Sequence, residues 1–495
     1  MGDVDEPLIA GPSADQSSNS EQVGTRSGAG KTPALARQAV ASVRLARRRI
    51  AGTLLRSLIA VLVGSLILRL ASHATGQMTQ FYLGYINKYF YHISHITRGY
   101  VIASFFITEL VGSLVLGAMS DGYGRKLFMV LGPAFGIVAV QLTAMTSVLW
   151  LLVAARLLEG LSTGSSIPST LGYISEATVG RPSLRARVMG MFEITLVGGI
   201  ALGAVIGGYL WKFFESPRTV AGITVESPAF SISIVGLIYL VSLAIFAWGL
   251  KDVSRKSPVA REGGDVSRGG AVRKKLKHYY AIFKSPSVWM FIPAWLSIFS
   301  IIGIWANLSF GLFNGEHFKG QKLTGSVTPE SFGNGFAALA VFFAVGVLAW
   351  SFVLARFRKT NVMIIGTLSL FALLLTTFGI NHLGSFSSSG FYLLLGALLI
   401  EVLVMSGFTP AALTYLADVT EDYAADRGSI MGLYSVFLGV GQLTGTSIGG
   451  YFAEWNGVDG LILLSAILGG VTAISLLALR RRETSEARRL EPRVG

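Results

Sequence analysis

The sequence predicts an all-α integral membrane protein, with twelve transmembrane helices in two pseudo-symmetric six-helix bundles. Three observations carry this. First, apolar runs of about 18 residues or more recur along most of the chain, and each is long enough to cross about 30 Å of hydrocarbon. A segment in lipid must satisfy its own backbone hydrogen bonds, so these runs are helices. Second, RARVMGMFEITLVGGIALGAVIGGY (185–209) returns as RGSIMGLYSVFLGVGQLTGTSIGGY (427–451), 242 positions further on. The same offset carries Glu159 onto Glu401, Pro168 onto Pro410, Tyr173 onto Tyr415, Glu176 onto Asp418 and Arg185 onto Arg427. Third, the Lys and Arg residues between the runs gather in alternate loops.

The chain has 495 residues, 52% hydrophobic and 14% charged, against about 25% charged in soluble domains. Its 59 glycines suit helices that pack closely in a membrane. There is no cysteine, which excludes disulfides, thiolate zinc sites and thiol nucleophiles. The formal net charge of +14 would suggest nucleic acid in a soluble protein. Here the basic residues lie in loops, so the charge is read as topology and no nucleic-acid partner is expected.

Residues 1–30 are rich in Ser, Gly and acidic groups and read as disordered. Residues 31–56 are basic and suit an anionic leaflet; 1–56 together form the N-terminal region. Spans follow at 57–85, 98–120, 127–147, 149–177, 188–211 and 228–250, the first bundle being 57–250. A basic linker, 251–286, separates them from spans at 287–312, 331–355, 361–380, 389–416, 428–453 and 459–479. The second bundle is therefore 287–479, and 480–495 is a tail. One set of alternate loops holds 33 of the 41 Lys and Arg residues and the other holds 6. This bias places both termini and the linker in the cytoplasm, in a multi-pass protein of the cell membrane.

Between spans two and three the chain reads GAMSDGYGRK (117–126). Span four contains RLLEGLSTG (156–164). Span five carries Gly190, Gly199, Gly203, Ala204, Gly207 and Gly208. These segments resemble the major facilitator superfamily: its G-x-x-x-D-x-x-G-R-K loop, its R-x-x-Q-G-x-G segment with Glu159 in place of Gln, and the glycine motif of its drug:proton antiporter branch with Ala204 in place of Pro. The resemblance covers about residues 55–480. It implies a secondary transporter in which two halves rock about a central site.

Each motif has a physical reading. Gly117 and Gly124 allow close backbone approach in a short turn, while Asp121 can accept from Arg125. With Lys126 they are expected to latch the ends of the two bundles together. The second-half counterpart ARFRK (355–359) has no acidic residue, so one such latch is expected. The span-five glycines should present one smooth face for a partner helix.

Ionisable groups inside spans are costly and mark a pathway. Arg69, Glu109, Glu159 and Glu401 lie near mid-span, with Arg156 nearer one end and Glu193 nearer the other. Arg69, His73, Gln77 and Gln80 form one polar stripe on span one. Arg69 can pair with Glu109 or Glu159, and Arg156 with Glu159 at i, i+3. Glu401 has no basic residue in its own half. An unpartnered carboxylate in hydrocarbon takes up a proton, so Glu401 is the expected proton-coupling group. Aromatic residues of spans one and seven, including Phe81, Tyr82, Tyr85, Trp295 and Trp305, are candidates for an apolar wall. Pro168 and Pro410 sit where they can kink spans four and ten.

Neither a Walker loop nor a dinucleotide fingerprint in a strand–helix setting is present, and the six His residues are scattered. No cofactor, metal or enzymatic activity is expected. The expected function is proton-coupled export of a drug-like or amphipathic small molecule by a monomer in the bilayer. Two alternatives remain: proton-coupled uptake of a small organic anion, and a non-transporting sensor on the same scaffold.

Overall fold

The computed structural model describes residues 32–215, 218–220, 223–225, 228–250, 286–315, 317–383, 388–419 and 427–490. The expectations for residues 1–31, for the linker 251–285 and for the last residues of the tail fall outside these. The described residues divide into two compact units, one up to Thr53 and one from Leu54 onward. Helix α1 is Thr32–Tyr89, and its part from Leu54 onward belongs to the second unit.

The first half continues as α2 (His95–Tyr123), α3 (Arg125–Met145), α4 (Leu149–Ala177), α5 (Pro182–Phe214) and α6 (Ala229–Gly249). The second half comprises α7 (Pro286–Phe313), α8 (Pro329–Val353), α9 (Lys359–His382), α10 (Ser389–Met405), α11 (Phe408–Val419) and α12 (Arg427–Leu490). Local chemistry sets several boundaries. Ser94 and Ser388 cap α2 and α10 by accepting from Thr97 N and Phe391 N at 3.2 Å each. Gly124 turns α2 directly into α3 with φ of 103°, a conformation that favours glycine.

Among the described residues, ten helical segments are long and apolar enough to cross a membrane. Helix α4 falls outside that set because Arg156, Glu159 and a run of Ser, Thr and Gly dilute its apolar character. Helices α10 and α11 share one apolar segment, Ser389–Leu416. Helix α12 is interrupted by non-helical backbone at Asn456 and Gly457. The helical expectation holds for the spans, and one short pairing lies between two of them. Between α5 and α6, Arg218–Val220 pairs antiparallel with Ile223–Val225, in register Arg218 with Val225. Three residues a side carry too little apolar pattern to be read from sequence.

The two prolines behave differently. Pro168 lies inside an unbroken α4, against the place a Cβ on Gly117 would occupy. Pro410 lies just beyond the break between α10 and α11. It has no N–H to offer the Ser406 carbonyl, so the ladder fails there. The Leu403 carbonyl instead accepts from the Trp350 indole at 3.2 Å and from the Ser406 hydroxyl at 2.7 Å.

Packing uses small residues throughout. Gly160 and Gly164 of α4 bring it against α2 at Thr108 and Glu109, and Gly136 of α3 admits the Tyr239 ring of α6. Ser242 of α6 donates to the Gly64 carbonyl of α1 at 2.8 Å. In the second half, Gly441 and Gly445 of α12 meet Phe299 and Ser300 of α7. One buried apolar cluster is built from α1–α6 with Phe310 and Phe332, and the others from α7–α12.

Candidate functional site

The site grows from the polar stripe of α1. Residues Arg69, His73 and Gln77 are one turn apart, and so are Gly199, Gly203 and Gly207 of α5. The two rows meet in register. A Cβ on Gly199 would lie 2.6 Å from the Arg69 Cβ, one on Gly203 3.0 Å from the His73 Cβ, and one on Gly207 3.2 Å from the Gln77 Oε1. The glycines therefore make the room for three bulky polar side chains, of which Gln77 is buried and Arg69 and His73 are half-buried.

The other span-five glycines correct the expectation of one smooth face. Gly190 has nothing within 4 Å of its would-be Cβ, because nine residues of helix turn it half-way round from Gly199. Gly208 faces the Pro329 carbonyl of α8, not α1.

Around the stripe stand the charges. Arg69 Nη1 lies 3.9 Å from Glu109 Oε1 of α2. Glu193 of α5 also acts electrostatically on Arg69. Arg156 Nη1 donates to Glu159 Oε2 within α4, and these side chains are 4% and 2% exposed. Ser72 Oγ donates to Glu159 Oε1 at 3.5 Å. The Arg156 guanidinium sits 4.9 Å over the Phe105 ring. Tyr239, fully buried, closes the group from α6. Arg69, His73, Glu109, Arg156 and Glu159 are thus brought together, with two guanidinium groups facing three carboxylates when Glu193 is included.

The second half supplies an apolar wall to the same place. His73 stacks on Phe336 of α8 at 5.5 Å and meets Phe310 of α7 edge-on at 6.3 Å. Phe310 packs in turn on Phe332 at 4.2 Å. Sequence reasoning missed these three rings, which have no periodic signature that separates them from packing aromatics. Trp295 instead packs with Phe291 and Phe437, and Trp305 donates to Ser465 at 2.9 Å. Several polar atoms of the stripe have no hydrogen-bond partner among the described residues: Arg69 Nε, His73 Nε2 and both amide atoms of Gln77. Groups of this kind hold water or ligand.

Glu401 is placed apart from this cluster. Its carboxylate faces α9, accepting from Thr376 Oγ1 at 2.9 Å, and its backbone carbonyl accepts from Ser369 at 2.8 Å. Its other carboxylate oxygen is buried without a partner among the described residues. Repeat equivalence with Glu159 did not carry over to position, because α10 presents Glu401 to its neighbour α9.

The Asp121 loop also differs from expectation. Arg125 pairs with Asp121 and with Glu176 at 2.9 Å, and donates to Ser120 at 2.7 Å. Lys126 donates to the Leu250 carbonyl at 2.8 Å. Gly117 lets α2 approach Pro168 and Gly124 turns the chain. These partners all belong to the first half, so in this conformation the cluster ties helix ends of one half together. The second half has a smaller counterpart after all. Lys359 pairs with Asp418, the repeat mate of Glu176, at 3.0 Å. No group of three or more potential metal ligands occurs among the described residues.

Comparison with known proteins identifies the family. Residues 50–327 and 309–495 match the family model described as Major Facilitator Superfamily. The chain is 25% identical over 368 residues to multidrug resistance protein 1 of Bacillus subtilis (strain 168), covering 72% of this chain and 81% of that protein. It is 28% identical over 213 residues to a glucose transporter of Staphylococcus epidermidis, covering 43% of this chain and 46% of that one. Among solved structures, the nucleoside transporter NupG superposes with a TM-score of 0.62 at 14% identity, covering 85% of this chain and 98% of the other. A D-xylose–proton symporter gives 0.59 at 14% identity, covering 86% and 96%. These last two speak for the fold alone. The family model spans the chain from residue 50 to its last residue, and the chain belongs to the Major Facilitator Superfamily of membrane transporters.

Proposed function

We propose that the protein is a twelve-span, proton-coupled exporter of amphipathic cations, with both termini in the cytoplasm of a cell and the cell membrane as its site. The observation that carries this reading is the pairing of two unlike walls. The first half offers half-buried Arg69 and Glu109 and buried Arg156 and Glu159, with Glu193 acting on Arg69, and the second half offers Phe310, Phe332 and Phe336. Three carboxylates against two guanidiniums leave one negative charge in excess. An aromatic wall beside such a charge suits a flat cation with an apolar body. Similarity to a Bacillus subtilis multidrug resistance protein supports the same direction.

The twelve spans follow from adding α4 to the ten apolar segments and dividing α12 at Asn456 and Gly457. Loop charge then assigns the α1–α2 end to the outside. A cation and a proton would compete for the same carboxylates. Protonation of Glu109 or Glu193 removes the excess charge and frees Arg69 to hold the remaining carboxylate, which weakens the hold on the cation. Release outside and proton entry would then alternate as the two halves rock.

Inverted vesicles with an imposed proton gradient, given ethidium, test this. Gradient-driven ethidium accumulation is expected, and Glu109→Gln should abolish it. Vesicles that ignore ethidium but show acid-driven uptake of labelled benzoate in the right-side-out orientation would favour anion import and remove the exporter reading. Failure of both, with intact folded protein, would favour a sensor.

A further inference from the structure

Beyond its interruption at Asn456 and Gly457, α12 runs as helix from Val458 to Leu490. That stretch is about 33 residues, or about 50 Å of helix, against about 30 Å of hydrocarbon. The last helix of the first half, α6, ends after 21 residues at Gly249. The extra turns carry α12 out of the bilayer and through residues 480–490 of the expected tail.

The two sides of this stretch differ. Ser475 Oγ donates to the Met290 carbonyl of α7, and Leu476 and Leu479 are buried with Val288 and Phe291. Glu483 Oε2 accepts from Thr360 Oγ1 of α9 at 3.0 Å. These residues share the inward side. Ile467, Val471, Ile474 and Leu477, at i, i+4, i+7 and i+10, are exposed and make the outward side. One turn beyond Leu477 stand Arg480 and Arg481, followed by Thr484 and Ser485. These four and Leu477 line an open groove of about 460 Å³. Both arginines are exposed, and neither makes an ion pair among the described residues. No described acidic side chain lines the groove, since Glu483 is turned to α9. The Thr484 and Ser485 hydroxyls donate to carbonyls of α12 at 2.9 and 2.8 Å, so the outward donors of the groove are the two guanidinium groups.

We propose that this groove is a binding site for an anionic phospholipid, with its phosphate held by Arg480 and Arg481 and an acyl chain along Val471, Ile474 and Leu477. An apolar stripe that ends on paired guanidiniums at the rim of the hydrocarbon matches both parts of such a molecule. Guanidinium forks suit phosphate oxygens, and the leaflet on the side of the basic loops is the one that supplies anionic lipid. A soluble phosphate would satisfy the arginines but leave the stripe unused, which is why the lipid is the assigned occupant. Arg482 lies about 100° round the helix from Arg481 and further from Arg480, and it is half-buried. General attraction to a charged surface would draw on all three arginines, whereas the site draws on two. The proposal goes beyond the exporter reading, because it depends on neither the substrate nor the coupling ion.

The full chain, purified in detergent, is offered dioleoyl phosphatidylglycerol in competition with dioleoyl phosphatidylcholine, and native mass spectrometry reads which lipid is stripped last. The parent should retain phosphatidylglycerol. Arg480→Gln and Arg481→Gln should each lower that retention about fivefold, and together about thirtyfold, while Arg482→Gln leaves it unchanged. Equal losses in all three single variants would reduce the effect to surface charge and overturn the site. A parent that shows no preference between the two lipids would overturn it too. Inorganic phosphate in excess should not displace the lipid. Displacement, with phosphate itself retained by the parent and lost in the double variant, would overturn the lipid assignment in favour of a soluble phosphate compound. If the double variant does not fold, the three single variants decide. Ethidium transport is no part of the readout, so failure of the exporter reading leaves this test standing.

Discussion

A Cβ placed on Gly203 would lie 3.0 Å from the Cβ of His73. This contact is the middle rung of three, between Gly199 and Arg69 on one side and Gly207 and Gln77 on the other. The glycines of α5 and the polar stripe of α1 are thus one device. The repeat copy in α12 packs on Phe299, Ser300 and Leu308. Close helix packing belongs to both halves, while the buried charge belongs to the first.

Filling that seam should be costly. Gly203→Val drives its side chain into the Leu70 carbonyl, 2.6 Å from the would-be Cβ, and overpacking of this kind costs about 1–3 kcal/mol. Thermal melting in detergent should fall accordingly, and transport should be lost. Gly190→Ala is the contrast. With open space around it and a better helix former in place, stability should hold or rise by up to about 1 kcal/mol. Equal losses in the two variants would show that the seam is not special.

The Arg156–Glu159 pair should behave as a unit. Both groups are buried, so removing either leaves an uncompensated charge, at about 3–5 kcal/mol. Arg156→Gln and Glu159→Gln are each expected to lower the melting temperature strongly, and the double variant by much less than their sum. Strict additivity in that cycle would mean the pair is not coupled.

Glu109 and Glu401 are expected to part company. Glu109 shares Arg69 with Glu193, whereas Glu401 is held by Thr376 against α9. Glu109→Gln should leave ethidium binding measurable but independent of pH between mildly acidic and neutral solution. Glu401→Gln should keep the pH dependence while lowering stability. The reverse pattern would return the proton to Glu401.

Arg125 and Lys359 give the fourth comparison. Arg125 bonds three groups, Asp121, Glu176 and Ser120, at 17% exposure. Among the described residues Lys359 pairs with Asp418 alone, with both side chains over a third exposed. Lys359→Gln should therefore cost about 0.2–1 kcal/mol and vanish at high salt. Arg125→Gln should cost more and persist in salt. A salt-insensitive Lys359 variant would contradict this ranking.

Much of this was legible in the sequence for physical reasons. Apolar runs must be helices in lipid, so the spans from 98–120 onward correspond to helices within several residues, apart from the merged α12 and the divided α10–α11, whereas α1 begins at Thr32, well before the expected 57. Side chains at i, i+4 and i+8 share a face, so Arg69, His73 and Gln77 read as a stripe, and i, i+3 spacing paired Arg156 with Glu159. What stayed hidden was relative rotation between helices. Nothing local says that α10 turns Glu401 to Thr376, that Gly208 looks across to Pro329, or that Phe310 and Phe336 bracket His73. The pairing of Arg218–Val220 with Ile223–Val225 was hidden too, since three-residue strands leave no alternation to read.

The break between α10 and α11 has a consequence for how the halves move. Its first-half equivalent at Pro168 is a continuous rod, while the stretch after Met405 has lost ladder bonds and leans on the Trp350 indole for support. Two levers of equal length need not be equally stiff. Shape change on passage of a molecule should then concentrate in the carboxy-terminal lever, bending at Ser406–Gly407, while its amino-terminal twin swings as a solid piece.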